Sequence, residues 1–411
     1  MAVSRRVVIV LCVLTMAATV VLPASGSSQP RAEVGAVAPR AAARPYVVTL
    51  GDSYISGEAG RWAGSSNVSP SYADALGPTA YDDNRSHNAE RIPKCHRSRS
   101  AEAYLGHGVG GLNLACSGAR TTTYVNRRGR FKPGLDFYRD DAGNVGQASA
   151  LRHFAASHRV VMVVVSIGGN DFNFASVVRS CVTDFLTSPS WSKDFCSDDP
   201  SVAANFTSGH IAAVKTRISR ALVRVRRAMR RAGYADPSWT LVVQTYPSVI
   251  PNGHGFRYSQ AGFTRQSVGG CGFWNADAHW ANASALRAIN RTVRAAVTAS
   301  GIAGAEVLGL ASALKGRRLC ESGVGLYEEV GLTSWTQPRA VNRTEWVNQI
   351  RTLSTVLSPY EIQESLHPNY WGQLAFRRCL RRVYHHGVPR GGSCVIAGKG
   401  LRHGEPRMRL R

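Results

Sequence analysis

The run 160–167 (VVMVVVSI) constrains the fold more than any other stretch of this chain. It is apolar and largely β-branched at both odd and even positions, so both of its faces need cover. A strand of that kind belongs at the centre of a parallel sheet with helices on both sides. Further strand-like segments lie at 46–50, 240–245 and 305–310, with amphipathic helices at 210–231 and 281–299 and a last helix at 373–384. In the first of these helices Ile211, Val214, Ile218, Leu222, Val223 and Met229 share helical spacing, with Lys and Arg between them. Strand-helix alternation of this kind predicts one three-layer α/β/α domain on a parallel central sheet. No internal repeat and no Pro/Gly/Ser linker divides it. Segments 58–100 and 321–360 lack periodicity and read as elaborated loops above the sheet, where open α/β sheets collect function.

The N-terminus stands apart from that domain. Arg5 and Arg6 precede an apolar stretch at 7–21, and Ala24-Ser25-Gly26 offers small residues for cleavage. Residues 1–26 therefore read as a secretory signal, with an uncleaved anchor or twin-arginine export as alternatives. Residues 27–44 read as a flexible leader, 45–386 as the folded domain and 387–411 as a basic C-terminal tail. Cys12 falls in the signal. Eight cysteines remain: Cys95, Cys116, Cys181, Cys196, Cys271, Cys320, Cys379 and Cys394. An even number behind an export signal favours disulfides in a secreted protein. Sequence leaves their connectivity open, and pairing in chain order is the simplest scheme. No C-x-x-C occurs, which disfavours a zinc ribbon or a thioredoxin-type site. His385-His386 fits no standard metal-ligand spacing.

Four short segments carry the chemistry. The first strand runs into Gly51-Asp52-Ser53-Tyr54-Ile55-Ser56-Gly57-Glu58, which can expose a serine hydroxyl on a tight turn. Asn113-Leu-Ala-Cys-Ser-Gly118-Ala119 can bring a backbone N–H close to a reacting atom at Gly118. Ser166-Ile-Gly168-Gly169-Asn170-Asp171 follows the most buried strand and offers the Asn170 amide. Glu364-Ser-Leu-His367-Pro368-Asn369 precedes the last helix, and His367 could take the Ser53 proton. Each segment alone reads as an ordinary turn, and their combination and order are what signify.

Together they resemble the SGNH hydrolases, also called the GDSL esterase/lipase family, from about residue 45 to residue 384. The resemblance is closest to secreted actinobacterial esterases and lipases, which also have a segment like Cys95-His-Arg-Ser98. It implies a flavodoxin-like α/β/α fold and acyl transfer from carboxylic esters, with lipids among the possible substrates. Ser53 would be the nucleophile and His367 the general base. The Ser53 and Gly118 N–H groups and the Asn170 amide would form the oxyanion hole, and no metal or cofactor is required. It also implies the pairs Cys95–Cys116, Cys181–Cys196 and Cys271–Cys320, with Cys379–Cys394 as an additional bridge. The family often places Asp three residues before the histidine, where this chain has Glu364. Either the Glu364 carboxylate or a backbone carbonyl could orient the imidazole.

Rival motifs are missing from the sequence: no G-x-S-x-G elbow, H-E-x-x-H, Walker A loop or C₂H₂ finger occurs. Gly106-His-Gly-Val-Gly-Gly111 follows no suitable strand and reads as a connection, not a dinucleotide loop. Trp62, Trp191, Trp274, Trp335 and Trp346 could line an acyl pocket or anchor loops, with anchoring the simpler role. The formal charge is +24, and losing Arg5 and Arg6 would leave +22. Arginine-rich runs at 217–231 and 377–382 and the tail carry much of it. Aromatics are not interleaved with these runs, so nucleic acid is not signalled. The charge suits contact with anionic lipid or cell-wall polymer, and a polyanion-binding surface protein is the alternative function. A monomer is the expected state.

Overall fold

Val160 and residues 162–165 are completely buried, as a strand with two apolar faces must be. The computed structural model describes residues 43–352 and 359–411. The expected signal, 1–26, and nearly all of the leader lie outside the described residues. The strands of the main sheet in chain order are β1 (Pro45–Gly51), β2 (Gly110–Asn113), β3 (Arg159–Ser166), β4 (Thr240–Gln244), β5 (Glu306–Gly309), β6 (Gly392–Arg402) and β7 (Glu405–Leu410), with a separate short hairpin at Tyr124–Val125 and Phe131–Lys132. They form one seven-stranded sheet in the order β2-β1-β3-β4-β5-β6-β7. Pairing is parallel from β2 through β6 and antiparallel between β6 and β7. The first five strands keep the flavodoxin-like order, in which the chain leaves β1 first to one side and then to the other.

The main helices are α1 (Ser53–Ser56), α2 (Gln147–Ser157), α3 (Phe174–Thr187), α4 (Ser208–Arg231), α5 (Leu286–Ala299) and α6 (Tyr370–Tyr384). They flank the sheet, giving an α/β fold. Helix α4 buries Val214, Ile218, Leu222, Val225 and Met229 on one stripe and turns its arginines outward. Among the described residues, no helix is long and apolar enough to cross a membrane.

The four disulfides are Cys95–Cys116, Cys181–Cys196, Cys271–Cys320 and Cys379–Cys394. This is the chain-order scheme.

Residues 387–411 differ from the expected tail. They form the hairpin β6–β7 at the edge of the sheet, fastened to α6 by Cys379–Cys394. Glu405, Pro406 and Met408 are buried while Arg407 and Arg409 face outward. The basic residues conceal a strand pattern because they occupy only its solvent face.

Candidate active site

Gly51 ends β1 and lies directly against β3. A Cβ there would sit 1.8 Å from the Ser166 carbonyl oxygen, and its φ is +135°, so only glycine fits. Its backbone is clamped by Gln147, whose Oε1 accepts from Gly51 N at 2.7 Å and whose Nε2 donates to Gly51 O at 2.9 Å. Asp52 then caps α1 by accepting from Tyr54 N, which places Ser53 as the first residue of that helix. The Gly118 and Asn170 loops follow β2 and β3, the two neighbours of β1. All three therefore open on one crevice at the carboxyl ends of the strands.

The imidazole of His367 meets Ser53 at this end of the sheet. Ser53 Oγ donates to His367 Nε2 at 2.7 Å. On the far side of the ring, Nδ1 donates to the Ser365 carbonyl at 2.9 Å. A carbonyl can only accept, so Nδ1 carries the proton and Nε2 keeps its lone pair for Ser53. Burial lowers the His367 pKa below its ordinary 6.5, against the opposing pull of the Glu58 charge. The neutral ring is thus favoured.

The loop holding His367 is fixed from two sides. Leu366 is buried at φ +61°, an unusual conformation for a branched residue. Asn348 pairs with it, its O accepting from Leu366 N at 3.1 Å and its N donating to His367 O at 3.0 Å. Asn369 caps α6 by accepting from Trp371 N and Gly372 N.

Glu364 does not meet the imidazole. Its carboxylate accepts from Trp62 Nε1 at 2.8 Å, from the Tyr81 hydroxyl at 2.5 Å and from Glu361 N at 3.0 Å. A short turn at Ile362–Glu364 directs the side chain inward, and the next carbonyl, that of Ser365, is left facing Nδ1. Nor is Glu364 a solvated surface group, being 2% exposed. Burial, reinforced by the Glu58 charge, pushes its pKa up to about 7.

The oxyanion candidates are placed as follows. Gly118 has φ +80°, a left-handed conformation that suits glycine. Among the described residues, no group accepts a hydrogen bond from Gly118 N or Ser53 N. Asn170 Nδ2 donates to Ala119 O at 3.0 Å, which leaves the second amide proton for another acceptor. Asp171 accepts from Thr121 N and Oγ1, tying the Asn170 loop to the Gly118 loop.

Several groups around the site have no role in the sequence reading. Tyr246 donates its hydroxyl proton to Asp52 and accepts from Gly169 N at 2.8 Å. It therefore joins the Ser53 turn to the Asn170 loop. Burial raises Asp52 to about 7 even with that hydrogen bond. Glu58 and His96 form a buried pair at 2.7 Å, and Gln363 donates to the other Glu58 oxygen at 2.8 Å. Burial opposes both charges, yet the pairing wins: Glu58 is held down at about 2 and His96 is raised to about 9. Arg97 donates to Leu114 O and Ala115 O beneath the Gly118 loop. Glu58 and His96 lie inside recognisable segments, so a signal for them existed. Tyr246 follows β4 in a stretch with no motif.

Glu58, His96 and Glu364 each offer one ligand atom within 4.8 Å of the others. Glu58 and His96 Nδ1 are already bonded to each other and Glu364 to Trp62, Tyr81 and Glu361 N, while His96 Nε2 has no hydrogen-bond partner among the described residues. Of the tryptophans, Trp62, Trp274 and Trp346 are buried anchors, Trp335 is half-buried and Trp191 is exposed.

No protein-family model matches the chain, and no curated protein sequence matches it. Three solved structures are similar to it in fold. An extracellular lipase from Streptomyces rimosus is 19% identical with a TM-score of 0.40, covering 80% of this chain and 95% of its own. Phospholipase A1 from Streptomyces albidoflavus is 18% identical with a TM-score of 0.40, covering 81% and 95%. Est24, a carbohydrate acetylesterase from Sinorhizobium meliloti, is 13% identical with a TM-score of 0.28, covering 65% and 83%. Likeness at this level carries no conclusion about activity, which must come from the side chains.

Proposed function

We propose that this chain is a secreted serine hydrolase of carboxylic esters, working through an acyl-enzyme. The observation that carries the reading is the Ser53 Oγ to His367 Nε2 hydrogen bond of 2.7 Å, with Nδ1 held by the Ser365 carbonyl. His367 takes the Ser53 proton as Oγ bonds to the ester carbon. The resulting tetrahedral oxyanion is received by Ser53 N, Gly118 N and the spare Asn170 proton. The C–O bond to the alcohol then breaks, and the imidazolium returns the proton to the departing alkoxide. Water, deprotonated by the same imidazole, attacks the acyl-enzyme and releases the acid. The Ser365 carbonyl takes the orienting role. Export is supported by the signal-like N-terminus and by the four disulfides.

The test is Ser53→Ala, assayed on a graded series of soluble acyl esters. Turnover is expected to fall by roughly 10⁴-fold or more, with the circular dichroism spectrum unchanged. Activity retained in that variant would refute the assignment. The same series with the unaltered enzyme reads out the preferred acyl length.

A further inference from the structure

A cavity of about 630 Å³ lies between the end of α6, strand β7 and the turn before β2. Helix α6 begins three residues after His367 and ends at this cavity. Its fifteen residues place the cavity roughly 20 Å from the Ser53 site at about 1.5 Å per residue. Arg378, Arg382, Arg390, Arg409, His385 and His386 line it. Leu105, Val109, Tyr384 and Leu410 add an apolar wall.

The arginines of this region fall into two kinds. Arg381 is engaged: it pairs with Glu405 through two contacts and donates to Leu105 O at 2.9 Å. The side chains of Arg378, Arg382, Arg390 and Arg409 have no hydrogen-bond or ion-pair partner among the described residues. Arg378 matters most, because it is only 8% exposed. Its stem is packed away while its guanidinium reaches the cavity. Arg382, Arg381 and Arg402 crowd it with like charge, and partial burial together with their charges lowers its pKa despite the pull of Glu405.

The helix end does not account for this arrangement. Cations do suit a helix C-terminus, which explains Arg381 and Arg382. Arg390 and Arg409 come from other segments, and Arg378 lies more than a turn inside the helix. The backbone is also unusual. His385 and His386 are consecutive at φ +37° and +57°. Ending α6 explains the first left-handed residue, whereas the second turns its side chain to the cavity at a conformational cost.

We propose that this cavity is an anion site for a phosphate ester, separate from the ester-cleaving crevice. Two or more of its free guanidiniums would grip the phosphate oxygens, as planar forked donors do. The apolar wall would take the carbon skeleton attached to that phosphate. The helix dipole opposes an anion here with about half a unit charge, far less than four arginines supply. The phosphate could belong to a free phosphate ester or to a phospholipid headgroup at a membrane surface.

Calorimetric titration of the full chain with glycerol 3-phosphate and with pyrophosphate, at about 0.1 M salt, tests the site. Co-sedimentation with phosphatidylcholine vesicles, with and without phosphatidylglycerol, distinguishes the two sources. Binding by either route is expected. The double variant R382Q/R409Q should weaken it by roughly tenfold or more. The equally charge-reduced R220Q/R227Q on the exposed side of α4 should stay within about twofold, and hydrolysis of soluble esters should stay unchanged in both. Arg378→Gln should abolish the rise in melting temperature that ligand gives the unaltered protein. Failure of every phosphate probe to bind overturns the proposal. So does equal weakening in the two double variants, which would assign binding to diffuse surface charge.

Discussion

The two ends of the sheet treat charge in opposite ways. At the carboxyl ends of the strands, buried acidic groups are hydrogen-bonded within the protein. Glu58 has His96, Asp52 has Tyr246, and Glu364 has Trp62 and Tyr81. At the far end of α6, four arginines face one cavity with no hydrogen-bond or ion-pair partner among the described residues. The first arrangement holds a neutral serine and a neutral imidazole in register. The second holds charge in reserve for something outside the chain. A formal charge of +24 therefore says little about where the protein is electrostatically unsatisfied.

The matched end is broken most severely by stranding Glu58. His96→Asn removes the cation while keeping a residue that tolerates the left-handed backbone at φ +48°. Losing one partner of a buried pair costs about 3–5 kcal/mol, to be read from urea unfolding at pH 6. The pH dependence sharpens the test. His96 is raised to about 9 and Glu58 is lowered to about 2. The contribution of the pair is fully present between about 4.5 and 6.5, the ordinary values for Glu and His. It is lost as pH falls through about 2 and as pH rises through about 9. The unaltered protein should lose stability from pH 6.5 toward 9, and His96→Asn should lack that component. An equal slope in both proteins would show that the pair is not the titrating element.

A smaller break separates the two loops without stranding a full charge. Tyr246→Phe deletes the hydroxyl that donates to Asp52 and accepts from Gly169 N. Leaving those groups unsatisfied should cost about 1–3 kcal/mol of stability. As a positioning residue, Tyr246 should influence kcat more than KM. A drop of roughly tenfold in kcat with KM nearly unchanged is expected for soluble esters. Equal losses of stability and of substrate affinity, with kcat intact, would reduce Tyr246 to a packing role.

How much of this was readable in the sequence differs between the two ends. The run 160–167 identified the central strand because a two-faced apolar pattern has one common explanation. Ser53, Gly118, Asn170 and His367 stood out because each lies in a short segment next to a strand or helix end. Tyr246 and Gln147 did not, since their partners lie 194 and 96 residues away in the chain and no local pattern marks such contacts. The cavity was illegible for a different reason. Arg378, Arg390 and Arg409 look like any surface arginines until the Cys379–Cys394 bridge and the β6–β7 hairpin bring them onto one hollow. Glu364 was misleading because spacing alone cannot say which way a side chain turns.

That last residue gives the smallest effect and the sharpest test of the matched end. Loss of a carboxylate that orients the imidazole in a serine triad costs about 10⁴-fold in turnover. Glu364 accepts from Trp62, Tyr81 and Glu361 N, and Ser365 O occupies the place such a carboxylate would need. Glu364→Gln keeps the shape and one acceptor oxygen, and it removes a carboxyl that burial and Glu58 push up to about 7. Its kcat on soluble esters should therefore stay within about threefold of the unaltered enzyme, against the 10⁴-fold of an orienting acid. The acid limb of kcat/KM adds an independent reading. As the proposed base the imidazole must be neutral, so activity is expected to fall as pH drops through the His367 pKa, which lies below 6.5. Because the carbonyl and not Glu364 faces Nδ1, that limb should keep its position in Glu364→Gln. A shifted limb together with a collapse in kcat would assign the orienting role to Glu364 and displace the Ser365 carbonyl from the role proposed for it.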